Sequence, residues 1–314
     1  MQIINSLSEI KTPFKNAVIT IGNFDGVHLG HQTLLKETAA YAELLQGTSI
    51  AMTFTPHPVD FFHRKHRPYI ITPLDQKLEL LEALGLNAVI NMPFTQEFTQ
   101  TSSRDFLEKI LLKAIGMRAI VTGNDYSFGR DREGTLAMLQ YEATRQGFEV
   151  IVMDWVNLVT PHDRQISSSA VREMIRHADV AEAALMLGRP FRLQGPVAHG
   201  DKRGSSLLNI PTANLDITNQ LYPPNGIYGG FAEIESQRYL TAIYIGAPKT
   251  FNADNVRVEA HLVDAPKDLD LYGKTIKIDF IGWLRDEIKF DDAGALKRQI
   301  TKDIEDIRQM AANA

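Results

Sequence analysis

The densest chemistry in the chain is the string Gly22-Asn23-Phe24-Asp25-Gly26-Val27-His28-Leu29-Gly30-His31. It follows the apolar run Ala17–Ile21 and precedes Leu35, Ala39 and Ala42, which recur at helical spacing. Two imidazoles three apart, with glycine before the second, therefore stand at or near the first turn of a helix. That end carries partial positive charge and N–H groups without intrahelical partners, so it suits phosphate oxygens. Imidazoles placed there donate hydrogen bonds to a phosphoryl group as its charge builds. Gly22 and Gly26 allow close backbone approach. A glycine-rich turn with two incidental histidines is the plain alternative. The strand before the string and the length of the match argue against it.

A second cluster is Ile166-Ser167-Ser168-Ser169-Ala170-Val171-Arg172. Its serines supply hydroxyls and N-cap acceptors, and Arg172, one turn in, can pair with phosphate charge. Taken alone, the segment reads as a plain cap followed by a surface arginine. Joined to the histidine pair, it reads as part of an ATP site. His57, between Pro56 and Pro58, fits a nucleotide contact and a loop-stiffening role equally well. His63 and His66 flank Arg64 and Lys65 in a patch read as mostly solvated. Histidines scattered without carboxylate or cysteine partners make no zinc site.

The first half of the chain alternates strands and helices. Strands are expected over 17–21, 49–54, 88–92, 119–122 and 148–153, with helices carried by Leu35, Leu78, Ile110 and Leu139 between them. Repeated units of this kind predict a parallel sheet with helices on its faces, a Rossmann-like α/β domain. From Phe191 onward short strands dominate. Residues 227–235 and 238–244 read as a hairpin, and 256–263 and 275–280 as two more strands, predicting a small antiparallel β-barrel or sandwich. A terminal helix carries Leu296, Ile300, Ile304 and Ile307. The expected domains are 1–187, α/β, and 188–314, all-β.

Length agrees, since 314 residues at about 150 per domain make two domains. The formal net charge of -5 does not recommend a nucleic acid or an anionic membrane as partner. The absence of cysteine removes disulfides, thiolate metal sites and cysteine nucleophiles. Residues 1–14 hold no long apolar run, and no apolar stretch approaches the roughly 18 residues of a membrane span. A cytoplasmic location is the expectation; oligomeric state is not legible.

The histidine string resembles the GxFDGxHxGH signature of the nucleotidyltransferase superfamily. More narrowly, it resembles the FAD synthetase module of the bacterial bifunctional riboflavin kinase/FAD synthetase family. Thr53-Phe54-Thr55-Pro56-His57-Pro58 is similar to that family's second motif, with Thr55 where Asp is usual. Gly123-Asn124-Asp125-Tyr126-Ser127-Phe128-Gly129 resembles its flavin-side loop, and Ile166–Arg172 its ISSTxIR motif with Ser169 for Thr. The resemblance implies that His28 and His31 hold ATP phosphates and stabilise the transition state. It implies ATP contacts from Gly22, Asn23, Phe24, Asp25, Ser167, Ser168 and Arg172. Asp125 and Phe128 would lie on the flavin side, with Asp125 a candidate Mg²⁺ ligand. The reaction implied is adenylyl transfer from ATP to FMN, giving FAD and pyrophosphate.

The second half resembles a riboflavin kinase. The matching segments are Gly195–Asp201, Pro211-Thr212-Ala213-Asn214, Pro223–Tyr228, Val258-Glu259-Ala260-His261, Leu271–Gly273 and Leu284–Glu287. The resemblance makes Glu259 the general base on the ribityl hydroxyl. Thr212 and Asn214 would hold Mg²⁺ beside ATP through hard oxygens. His199 and Gly200 would meet ATP, and Arg285 the flavin. The pattern departs at Ser205, Leu208 and Asn209, where GRxLGF is usual, and at Lys249. These departures keep open an FAD synthetase with a kinase-weak or kinase-dead barrel. A flavin-binding regulator requires both sites to be inactive, and another nucleotide acceptor conflicts with the second-domain match.

Overall fold

The structure is a computed structural model that describes residues 1–62, 69–158, 164–198, 212–246, 257–266, 269–290 and 292–313. Spatial contacts divide the chain into two units. One is Met1–His66 with Thr72–Ser167; the other is Arg67–Ile71 with Ser168–Ala314.

The first unit is built on a parallel sheet. Its strands are β1 (Gln2–Ile4), β2 (Ala17–Ile21), β3 (Ser49–Thr55), β4 (Ala88–Pro93), β5 (Met117–Gly123) and β8 (Glu149–Met153). Two short antiparallel pairs complete the unit, β6 (Ser127–Phe128) with β7 (Gly134–Thr135) and β9 (Asn157–Leu158) with β10 (Arg164–Gln165). The sheet order is β1-β4-β3-β2-β5-β8, with every neighbouring pair parallel. Parallel strands covered on both faces need continuous apolar runs, and β2, β3 and β4 are buried along most of their length. The edge strand β1 is not among the expected strands: in three residues only Ile4 is buried, too short a run to carry a period.

Helices Leu29–Leu44 and Leu74–Ala83 connect β2 to β3 and β3 to β4. The expected helix around Ile110 is present with wide, π-type turns over Phe106–Ile115. Leu107, Leu111 and Ile115, four apart, are all buried there. It stops at Gly116, whose φ of +80° is a left-handed cap suited to glycine.

From β2 the chain winds outward through β3 and β4 in one direction, then returns to β5 and β8 on the other side. The reversal point lies between β2 and β5. In open α/β sheets, ligands bind in the crevice at the carboxyl ends of the strands flanking such a point. Gly22–His31 leaves β2 there, and Gly123-Asn124-Asp125 leaves β5.

The second unit settles the alternative left open above: it is a closed barrel. Strands β11 (Arg192–Ala198), β12 (Thr212–Leu215), β13 (Gly226–Ile234), β14 (Gln237–Gly246), β15 (Arg257–Leu262) and β16 (Thr275–Arg285) close in the order β11-β12-β15-β14-β13-β16. All pairs are antiparallel. Burial alternates along β12, β13 and β15, as a filled small barrel requires. Helices Ser168–Arg176 and Val180–Leu187 belong to this unit, the latter packing on β16. The terminal helix Ala293–Ala312 packs on β13, β14 and β16.

Candidate active sites

In the first unit, His28 is the N-cap of the Leu29–Leu44 helix, and its Nδ1 accepts the His31 backbone N–H at 3.3 Å. With Nδ1 used as acceptor, a neutral His28 carries its proton on Nε2. The two imidazoles stack, with centroids 3.6 Å apart and planes inclined by 17°. Gly30 makes this possible. A Cβ there would meet the His28 ring at 3.3 Å and the Ile166 carbonyl at 3.8 Å. The same geometry places the start of the serine motif, within this unit, beside Gly30.

The turn before His28 is held from inside the protein. Phe24 and Val27 have φ of +46° and +42°, conformations costing roughly 1–3 kcal/mol each for residues with a Cβ. Within Gly22–Asp25, expected beside ATP, the side chains of Phe24 and Asp25 are buried. Phe24 is only 1% exposed; its ring packs with Val27 and Leu35 and lies edge-on to His31 at 5.3 Å. Asp25, equally buried, accepts the Thr72 N–H at 3.0 Å. Phe24 takes a positive φ, and both side chains are buried. The Asn23 carbonyl also faces inward, accepting from the Thr53 hydroxyl at 3.1 Å and from Lys77 Nζ at 2.8 Å.

On the neighbouring strand end, His57 is buried and its Nδ1 accepts the Val59 N–H at 3.2 Å. Thr55, standing where Asp is usual, donates to Asn91 Oδ1 at 2.7 Å. Asp125 is exposed after β5, on the same carboxyl edge as the histidines. Phe128, expected on the flavin side, is buried. It stacks on Tyr126 and packs near Phe106 in the main apolar cluster. The basic patch of His63 and His66 lies outside the described residues.

In the second unit, Ser168 opens the Ser168–Arg176 helix, and Ser167 immediately precedes it. Arg172 is buried, not a surface arginine. Its Nε donates to the Tyr69 carbonyl at 3.0 Å and its guanidinium lies 3.6 Å over the Tyr69 ring.

The barrel brings the kinase-like residues together by register. Thr212 pairs with His261 and Asn214 with Glu259 across β12 and β15, while Tyr244 of β14 faces Glu259. The residues between them, Ala213, Leu215, Val258 and Ala260, are buried in the barrel. Period two therefore puts Thr212, Asn214, Glu259 and His261 together on the outer face. The Thr212 hydroxyl lies 2.9 Å from His261 Nδ1. Burial lowers the His261 pKa to about 4, so the ring is neutral near pH 7. Burial raises the Glu259 pKa above the usual carboxylate range, with Arg257 Nε at 3.7 Å opposing the shift.

Arg285, expected to meet the flavin, is engaged within the barrel unit. Its Nε and Nη2 donate to Asp303 of the terminal helix at 2.9 and 2.6 Å, and its Nη1 donates to the Asp286 carbonyl. Asp303 is itself buried, so the pair ties barrel to helix. His199, Gly200, Ser205, Leu208, Asn209 and Lys249 lie outside the described residues.

Sequence reasoning missed Lys77 and Tyr69 as site-supporting residues, and gave Thr53 and His261 no role beyond their motifs. Lys77 left a signal: it shares the inward face of Leu74, Leu78 and Leu81, where a charge is out of place. His261, quoted in the same motif, is the next residue after Glu259 on that strand face. Tyr69 is distant in sequence and left no signal.

No group of three or more His, Asp or Glu converges as a metal site among the described residues. No helix among them is long and apolar enough to cross a membrane.

Comparison with known proteins finds a family match in each half of the chain. Residues 10–170 match the family model described as FAD synthetase, and residues 187–311 the one described as riboflavin kinase. A bifunctional riboflavin kinase/FMN adenylyltransferase of Haemophilus influenzae is 34% identical over 306 residues, covering 97% of each protein. One from Pseudomonas fluorescens is 33% identical over 313 residues, covering 99% of this chain and 98% of that protein. A crystal structure described as a macrolide-efflux protein from Streptococcus pneumoniae superposes with a TM-score of 0.85 at 29% identity, covering 98% of each chain. The chain therefore belongs to the bifunctional riboflavin kinase/FMN adenylyltransferase family.

Proposed function

We propose that the chain makes FAD in two steps, with residues 1–187 as the adenylyltransferase module and 188–314 as the riboflavin kinase module. In the first step the ribityl 5′-hydroxyl of riboflavin attacks the γ-phosphorus of ATP and ADP leaves. Glu259 takes the hydroxyl proton. In the second step an FMN phosphate oxygen attacks the α-phosphorus of ATP and pyrophosphate leaves. His28 donates from Nε2 to the phosphate oxygens, and His31 stacks against it. Such chemistry depends on positioning and charge neutralisation more than on a covalent nucleophile.

The observation that carries the adenylyl-transfer reading is the N-cap His28, stacked on His31 at the sheet's reversal point. The kinase reading rests on the outward ladder Thr212–His261 and Asn214–Glu259. By the motif resemblance, Ser167, Ser168 and Arg172 act on the triphosphate and Asp125 near the flavin phosphate.

Hydroxyl and amide oxygens beside a carboxylate fit a hard cation shared with phosphate groups better than a dedicated all-protein cage. Thr212 and Asn214 would hold Mg²⁺ in the kinase module; it supplies neutralisation of phosphate charge when bound. Asp125 is the corresponding candidate in the other module.

The test is incubation of the purified chain with ATP, Mg²⁺ and either riboflavin or FMN, with the flavins separated by chromatography. FAD from both substrates is expected. FAD from FMN alone would refute the kinase step, and no FAD from either would refute the adenylyl step.

A further inference from the structure

Lys77 is a charged side chain where the fold provides for an apolar one. It sits on the inward face of the Leu74–Ala83 helix and is 5% exposed. Its ammonium donates to the Asn23 carbonyl at 2.8 Å and to the Thr53 hydroxyl at 3.3 Å, and that hydroxyl donates to the same carbonyl at 3.1 Å. Two donors thus converge on one peptide oxygen. The next residue is Phe24, which begins the stretch with positive φ that leads into His28.

Strained backbone persists only where its surroundings over-determine it. The second tie is Asp25, which accepts the Thr72 N–H just before the same helix. Burial works against the Lys77 charge, and Asp25 opposes that effect. A methionine would fill a similar volume without burying an ion. What it would lack is the charge-assisted hydrogen bond to Asn23, stronger than a neutral one.

We infer that Lys77 is a positioning residue for adenylyl transfer: with Thr53 it clamps the Asn23 carbonyl from beneath and so holds the turn that presents His28 and His31. It meets no substrate and acts through the turn. The inference rests on the proposed FMN adenylyltransferase activity of this unit.

The experiment compares the full-length chain with K77M, T53V and the double variant. FMN adenylylation is measured as kcat and as KM for FMN and ATP. Riboflavin phosphorylation and thermal unfolding of the same preparations are recorded alongside. K77M is expected to lower the adenylylation kcat at least about tenfold, because small misplacements of reacting groups have costs of this order. KM for FMN and the kinase rate stay near wild type. T53V gives a smaller loss in the same parameter. The double variant loses less than the product of the single losses, because both donors serve one oxygen. Wild-type protein without FAD production would overturn the underlying reading. An active wild type with an unchanged kcat in a folded K77M, or a loss confined to KM for FMN, would overturn the inference alone. Should K77M fail to fold, T53V decides: a kcat loss with normal unfolding supports the clamp, and a wild-type kcat refutes it.

Discussion

One ring nitrogen of His28, Nδ1, caps a helix. A neutral ring then carries its proton on Nε2, the tautomer that the proposed phosphate contact requires. His28→Ala should lower FMN adenylylation by about 10²–10³-fold, the usual cost of a lost preorganised donor, with riboflavin phosphorylation unchanged. Comparing the two rates on one preparation checks this. Glu259 makes a different prediction. In its proposed role as base it works ionised, so kinase activity should fall as pH drops through its pKa. Burial has raised that pKa, so the acid limb of the kinase profile should lie above the range of an ordinary glutamate. Arg257 holds it down. Arg257→Ala should therefore move the acid limb to higher pH, while Glu259→Gln should lower the kinase rate about 10²–10⁴-fold. A pH profile of kcat/KM on riboflavin reads the first, and the maximal rate the second.

Elements enter through the contacts their backbones allow. Gly30 lies in the first turn of the Leu29–Leu44 helix and leaves room for the His28 ring. Gly30→Ala should depress adenylylation by pushing that ring away, even though alanine favours a helix. Its thermal unfolding should remain close to wild type. Gly116 gives the opposite pattern. It caps Phe106–Ile115 at positive φ, and a Cβ there would meet Pro13 at 2.8 Å and the Phe14 carbonyl at 3.0 Å. Gly116→Ala should cost at least about 1–2 kcal/mol of stability from the left-handed backbone alone. Denaturant unfolding measures it, and the kinase rate should stay unchanged. Most of these elements were legible beforehand. The apolar runs of β2 to β5 and the repeating leucines of the helices left little ambiguity, because both follow from local periodicity. The β1 edge and the wide turns of Phe106–Ile115 were not legible, since neither has a local period that distinguishes it.

The whole molecule couples two chemistries in one chain, and each unit keeps its own supports. In the barrel unit the terminal helix is joined by the Arg285–Asp303 pair, of which Asp303 is only 3% exposed. Removing one partner of a buried pair leaves the other charge uncompensated. Asp303→Ala should destabilise the barrel unit by about 3 kcal/mol or more, with loss of riboflavin kinase activity at lower temperature. Adenylylation of supplied FMN should survive the same treatment. Activity assays after stepwise heating would show the two losses separating.

Ordered motifs spaced along most of the chain were sufficient to identify both modules and their candidate reactions, because phosphate chemistry needs particular residue types at short, fixed spacings. Short spacing also implied a helix under His28 and His31. Which motif residues face outward was decided only by tertiary structure. Phe24 and Asp25 sit within the signature yet are buried, Phe24 at a positive φ and Asp25 held by the Thr72 N–H. Phe128 and Arg285 are likewise taken up by the core and by the terminal helix. The pairing of Thr212 with His261 and of Asn214 with Glu259 spans 49 residues in the first case, and depends on barrel register that no local pattern encodes. Lys77 and Asn23 are 54 residues apart, and only the packing of a helix against the end of a strand makes them neighbours.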